Sequence, residues 1–162
     1  MHGGARLTVP APRRLALPAI LLAVAGAVAG CAGGSSGAVT AAPRAADPAC
    51  GAALAAAPAT LLGRARTPSP VAGTAAWGEP AVVVRCGLPE QPPTTNRCLT
   101  VDDVDWIIDS TGDPVVFTAY GRSPTVEVRV PASFGTQNAP SALVGLAPVA
   151  AALPRTSHAC IG

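Results

Sequence analysis

The sequence has no lysine and few aromatic residues, and each shortage excludes something. All eleven basic residues are arginines, against nine acidic residues. Arg6, Arg13 and Arg14 lie in an amino-terminal segment that we expect to be removed, which leaves eight basic and nine acidic residues. Because such a chain has no net positive charge to attract polyanions, we expect no nucleic-acid partner.

Aromatic residues make up only 3% of the chain, and much of its 49% hydrophobic content is alanine. Few side chains can therefore bury a large apolar surface. After a removable signal and a linker, the 162 residues leave material for one small domain. We expect that domain to need stabilisation beyond its hydrophobic core.

Histidine is also scarce, which restricts catalysis. Beyond the amino-terminal segment the chain keeps only His158. A histidine-assisted nucleophile would have to be Ser133 or Ser157, and no nucleophile-elbow motif surrounds either serine. We therefore expect no catalytic residues, no cofactor and no enzymatic activity.

Residues 1–30 resemble a lipoprotein export signal. Basic residues precede an apolar run over residues 15–30, which at about 16 residues is short of the roughly 20 that a membrane-spanning helix needs. The run ends in Val28-Ala29-Gly30-Cys31, which looks like a lipobox. The sequence thus predicts a lipid attached to Cys31 and a location on the extracytoplasmic face of the cell membrane. The choice between the general and the twin-arginine export route stays open.

Residues 31–49 are rich in Ala, Gly, Ser and Pro, a composition that favours a flexible tether. We expect an α+β domain over residues 50–162. Apolar spacing predicts a first helix from Cys50 that ends at Gly63, with Pro58 as an irregularity. A closing helix is predicted from Pro140 to Leu153.

Between the helices the apolar period changes to two, which predicts about five strands. The last three read as an antiparallel meander, and both helices are expected to cover one face of the sheet. The predicted strands span residues 82–86, 97–101, 104–108, 115–119 and 126–130.

Four cysteines remain after Cys31, and an even number in an exported chain predicts two disulfides. Three pairings are possible. We favour Cys86 with Cys98, which flank one loop, and Cys50 with Cys160, which bracket the domain. No pair has the two-to-four-residue spacing of a zinc site, so we predict no metal there.

Five aspartates between Asp102 and Asp113 form the densest polar cluster, and oxygen ligands are what calcium requires. Their spacing does not fit an EF-hand loop, because Ile107 stands at a ligand position. The alternative is ordinary turn chemistry. A calcium-binding module or a small envelope enzyme using this cluster is our second hypothesis.

Large or charged side chains offer a candidate binding patch. Trp106 alternates with Val104 and Ile108 and is expected in the core. Trp77 is expected to cap the core edge or to join a partner-binding surface. Arginines on a shared face could bind an anionic polymer, or they could pair with Glu127 and the aspartates. The patch comprises Trp77, Arg85, Arg122 and Arg129.

Several motifs in order resemble an actinobacterial family of secreted or membrane-anchored proteins, domain-of-unknown-function family 3515. They are the segments 76–87, 104–106, 117–124 and 126–131, and the likeness extends from Cys50 to Cys160. The resemblance implies a small envelope protein and transfers no catalytic residue. Our leading hypothesis is a lipid-anchored accessory factor that binds an envelope protein or cell-wall component.

Overall fold

The computed structural model describes residues 1–4, 39–135 and 137–161. Within these ranges, one α-helix precedes a series of strands along the chain and a second follows it. A short 3-10 turn, Ala132–Phe134, comes before the second helix. The elements are α1 (Pro48–Ala55), β1 (Thr60–Leu61), β2 (Arg64–Thr67), β3 (Thr74–Trp77), β4 (Val82–Leu88), β5 (Cys98–Val101), β6 (Val104–Asp109), β7 (Val115–Ala119), β8 (Thr125–Val130) and α2 (Ser141–Ala151).

The strands form one antiparallel sheet in the order β1-β2-β3-β4-β8-β7-β6-β5. Two four-stranded meanders, β1–β4 and β5–β8, therefore join along β4 and β8. The predicted meander over β6, β7 and β8 is confirmed, whereas about five strands was too few. The missed strands, β1 to β3, have only two to four residues each and lack a clear apolar alternation.

One face of the sheet, the helix face, carries the hydrophobic core. Facing pairs such as Val84 with Val128 and Trp106 with Ala119 lie on it, and all four side chains are fully buried. Residues of both helices, including Leu143 and Leu146, belong to the same cluster. The predicted core position of Trp106 and the covering by both helices are confirmed.

The first helix is shorter than predicted. It ends at Ala55, and Leu61 lies in β1 instead of on the helix. Pro58 lacks a backbone donor, so it does not continue a helix. Leu62 and Gly63 have φ angles of 49° and 74°, so Gly63 completes a hairpin turn between β1 and β2 rather than a helix cap.

Four cysteines form two disulfides as predicted, but the favoured pairing is wrong. Cys50 pairs with Cys86 and Cys98 pairs with Cys160, with Cα–Cα distances of 5.6 and 5.9 Å. Cys86 lies on β4 and Cys98 on β5, and three strands separate them in the sheet. Four strand spacings amount to about 19 Å, which no disulfide bridges.

Candidate functional site

The second face of the sheet, here called the open face, carries charged side chains instead of a helix. Arg85 of β4 is directly opposite Glu127 of β8, and Arg129 follows two residues later on the same face. One oxygen of Glu127, Oε1, lies 3.5 Å from Arg85 Nε and 3.4 Å from Arg129 Nη1. Glu127 is only 8% exposed, and these two arginines compensate its buried charge.

We call Arg85, Glu127 and Arg129 the arginine–glutamate row. In it, two of the arginines pair with Glu127, as the alternative to a binding patch predicted. The row still differs from ordinary solvated surface charge, because Glu127 is buried and both arginines are partly buried. The alternation of Val126, Val128 and Val130 placed Glu127 on the opposite face. Its burial was not visible in the sequence, since it depends on what crosses that face.

Part of the predicted tether crosses the open face. Val39 lines a cavity beside Val83 and Arg129, at the first end of β4. The backbone N–H of Arg44 donates to Gly87 O at 2.9 Å, at the other end of β4, and Ala42 between them is buried. Residues 39–47, here called the strap, thus belong to the folded domain, which begins before Cys50.

Gly87 permits the strap to approach. Its φ is 104°, and a Cβ there would collide with the backbone of Arg44 and Ala45. The strap then enters α1, where Asp47 accepts the Ala49 N–H at 3.0 Å as an N-cap. That bond and the Arg44 guanidinium lower the pKa of Asp47.

A cavity of about 400 Å³ opens on the open face at the strap's first residue. The turns β3–β4 and β6–β7 and the end of β8 meet there, and each contributes a proline. We call it the proline-lined cavity. Its lining is Val39, Glu79, Pro80, Ala81, Val83, Asp113, Pro114, Arg129, Pro131 and Ser133.

This lining suits a partly apolar ligand. Ring and aliphatic carbons form most of the wall, and Glu79, Asp113 and Arg129 contribute charged groups to it. The carboxylate of Asp113 is already engaged, since its Oδ1 accepts the Ala132 N–H at 2.8 Å, and Arg129 is paired with Glu127. Glu79 is exposed and carries the cavity's other carboxylate. No pattern in the sequence predicted that the three prolines of the lining would lie close together.

The candidate binding patch is not one surface. Arg85 and Arg129 share the open face, but Trp77 is fully buried on the helix face, where its Nε1 donates to Pro58 O at 2.9 Å. Arg122 lies in the β7–β8 loop, at the opposite end of the sheet from the proline-lined cavity. The prediction of a shared patch is therefore wrong, because Trp77 lies on the other face of the sheet and Arg122 lies in a loop at its far end.

The aspartates between Asp102 and Asp113 have separate local partners. Asp109 Oδ1 accepts the Thr111 hydroxyl and N–H, which lowers the pKa of Asp109. Asp105 accepts the Thr100 hydroxyl at 2.6 Å and the Cys160 N–H at 2.8 Å. Asp102 and Asp103 have positive φ angles in the β5–β6 turn. Among the described residues no group of three or more His, Cys, Asp or Glu side chains could hold a metal ion.

Of the two serines considered as nucleophiles, Ser157 directly precedes His158 and forms no hydrogen bond with it among the described residues, and Ser133 lies far from it. Ser133 lines the proline-lined cavity, whereas His158 lies in the carboxyl-terminal tail at the other end of the sheet. His158 Nδ1 is instead 2.9 Å from Glu90 Oε1, and its ring stacks on Tyr120. The tail, residues 155–161, is held on the open face by the Cys98–Cys160 disulfide.

The lipid-attachment residue Cys31 and the cleavage region lie outside the described residues. No helix in the described part of the chain is both long and apolar enough to cross a membrane. A family model with the description "Protein of unknown function (DUF3515)" matches residues 14–157. Neither a curated protein nor a solved structure gives a significant match to the chain.

Proposed function

Since the chain belongs to the DUF3515 family, whose description assigns no activity, we propose a function from its own residues: it is a lipid-anchored extracytoplasmic protein whose domain binds an envelope component without transforming it. The partner would be an envelope protein or a cell-wall component. The observation that carries the binding role is the proline-lined cavity, whose size is typical of ligand sites.

Two features support the anchored, extracytoplasmic location. The segment Val28-Ala29-Gly30-Cys31 follows an apolar run and lies inside the region that the family model matches. The domain also contains two disulfides, and such bonds persist in oxidising compartments. Together they favour export followed by acylation of Cys31.

The anchor is tested by intact-mass analysis of the protein extracted from membranes of a host that expresses it. We expect a mass equal to residues 31–162 plus acyl groups, with four alkyl groups added by alkylation only after reduction. A Cys31→Ser variant should keep residues 1–30 and lack the lipid. An unlipidated wild-type chain that retains those residues would contradict the proposal.

The binding role is tested by site-specific photocrosslinking in the same membranes. A photoreactive residue at Ser133, which is exposed at the cavity, should give one discrete crosslinked product. The matched control is Ser141, which is exposed at the start of α2 and is not part of the cavity lining. Products of equal yield at both positions, or none at Ser133, would contradict a ligand in this cavity.

A further inference from the structure

A second cavity lies under the carboxyl-terminal tail and contains two arginines. It measures about 150 Å³ and is formed by the β5–β6 turn, the β7–β8 loop and the tail. Arg122 and Arg155 both line it, and their backbones form an isolated β-bridge. We call this cavity the arginine pocket.

Arg122 is the more unusual of the two residues. It is only 3% exposed, and its Nη1 donates to Leu153 O at 3.3 Å. Its Nε has no hydrogen-bond partner among the described residues. A buried cationic donor without a partner is costly, because its lost hydration is not replaced.

No carboxylate in the described part of the chain forms an ion pair with Arg122 or Arg155. Arg155 donates from Nη2 to Asp103 O at 3.4 Å. Burial and the nearby charge of Arg155 lower the pKa of Arg122, while Asp105 opposes that change. The pocket therefore brings two guanidinium groups together without a direct ion pair to either, and the buried Nε of Arg122 has no hydrogen-bond partner among the described residues.

The neighbouring carboxylates are already occupied. Asp105 accepts hydrogen bonds from Thr100 and the Cys160 N–H, and Glu90 accepts the Thr156 hydroxyl beside His158. Asp103 and Arg155 are both exposed, so solvent screens their charges. The two arginines and the two aspartates of the lining balance in formal charge, so a monoanion leaves less uncompensated charge than a doubly charged phosphate.

The tail over the pocket is held firmly. Thr156 N–H donates to Gly121 O at 3.0 Å, and Ser123 N–H donates to Pro154 O at 3.1 Å. Gly121 has a φ of 68°, and a Cβ there would collide with His158 O. The Cys98–Cys160 disulfide fastens the tail beyond these contacts. A pocket closed by so many restraints is preorganised for a small ligand.

We propose that the arginine pocket binds a small monovalent carboxylate between the guanidinium groups of Arg122 and Arg155. Guanidinium groups recognise carboxylates through paired, charge-assisted hydrogen bonds. The volume corresponds to that of about five water molecules, which limits the bound part to a few heavy atoms. The carboxylate comes either from a free small acid or from the end of a peptide chain. The site is separate from the proline-lined cavity, and its test does not depend on that cavity.

The first experiment titrates the protein with acetate, N-acetylalanine and inorganic phosphate at constant ionic strength, and follows heat release and the Arg122 Nε–H resonance. We expect saturable binding of acetate or N-acetylalanine with a shift of that resonance, and weaker binding of phosphate. N-acetylalanine that binds about tenfold more tightly than acetate would identify a chain-terminal carboxylate, whereas equal affinities would identify a free acid. Absence of saturation, or tighter phosphate binding, would overturn the proposal.

The second experiment removes one cationic group. Arg155→Gln should weaken carboxylate binding about tenfold or more, because a charge-assisted contact is lost. Arg97→Gln is the matched control: Arg97 is also exposed, but it does not line the pocket. Arg155→Lys keeps the charge without the paired donors and should give an intermediate loss. An equal loss in Arg97→Gln, or wild-type affinity in Arg155→Gln, would refute the site.

Discussion

The two faces of the sheet are covered by different elements, one by helices and the other by segments without regular secondary structure. On the helix face, valines, two tryptophans and Phe117 pack against α1 and α2 in one continuous cluster. On the open face, the strap and the carboxyl-terminal tail cover charged side chains, and the proline-lined cavity and the arginine pocket lie at opposite ends. One disulfide lies on each face: Cys50–Cys86 joins α1 to the core, and Cys98–Cys160 fastens the tail.

The two faces therefore make different contributions to stability and to ligand binding. Apolar burial on the helix face stabilises the domain without directional contacts. The open face holds the buried carboxylate of Glu127, and the β7–β8 loop at its end holds the buried guanidinium of Arg122; both groups tolerate burial only with suitable partners. We therefore expect substitutions on the helix face to affect mainly unfolding, and those on the open face to affect mainly local structure and ligands.

The largest effect is expected from removing the disulfides one at a time. Each closed loop, with sequence separations of 36 and 62, contributes about 4 kcal/mol in the chain-entropy model. Cys50→Ala with Cys86→Ala should cost more, about 5 kcal/mol in all, because both side chains are fully buried.

Urea unfolding measures these losses, and hydrogen exchange locates them. The double variant without Cys98 and Cys160 should lose protection from exchange first in residues 155–161. The double variant without Cys50 and Cys86 should lose it first in α1. Identical exchange patterns for the two double variants would contradict the assignment of one disulfide to each face. Peptide mapping of the unreduced protein should join Cys50 to Cys86.

The next largest effect compares two neighbours on β7 that face opposite ways. Phe117→Ala should reduce the free energy of unfolding by about 4 kcal/mol, because a large buried side chain leaves a cavity. Thr118→Ala, on the open face, should cost about 1 kcal/mol or less. Similar losses in urea denaturation would show that the open face is packed as tightly as the helix face.

A smaller effect is expected in the arginine–glutamate row. Glu127→Gln should cost about 2 kcal/mol, because it leaves two partly buried arginines without their shared carboxylate. The control is Glu79→Gln at the exposed rim of the proline-lined cavity, where we expect a change within about 0.5 kcal/mol. Equal stability of both variants in urea would mean that the row does not stabilise the open face.

The smallest effects concern two surface carboxylates whose pKa values are lowered. The Thr111 hydroxyl is the largest cause for Asp109, so Thr111→Val should raise the pKa of Asp109 and leave that of Asp47 unchanged. Because the folded-state pKa of each is below its unfolded value, its stabilising contribution is present above about pH 4 and is lost as pH falls through the folded pKa. Carboxyl NMR titration checks both groups, and a parallel change in Asp47 would refute the local cause.

Much of the helix face could be predicted from the sequence. Period-two alternation in β4, β6, β7 and β8 placed Trp106 and the valines correctly, since each side chain's face depends only on its own strand. The first helix was predicted too long because Pro58 and the turn at Leu62 and Gly63 were given too little weight. The short strands β1 to β3 have too few residues for a detectable period.

Less of the candidate site could be predicted. Arg85 and Arg129 were predicted as part of a binding patch and instead pair with Glu127, which was the alternative for the arginines, whereas Trp77 and Arg122 lie elsewhere. Arg155 was missed, because an exposed arginine in a polar tail has no distinguishing local pattern. Residues 39–47 have the composition of a linker, and only their contacts with Gly73 and Gly87 make them part of the domain.

By itself, the sequence determined the number of disulfide-forming cysteines, the α+β class and the apolar face of the main strands, because composition and periodicity act along the chain. The tertiary structure decided which cysteines pair, how β4 meets β8, what covers Glu127 and where Arg122 and Arg155 meet. Those outcomes depend on strand order and on the approach of segments more than thirty residues apart. Contacts between such distant segments do not produce a periodic pattern in the sequence of either segment.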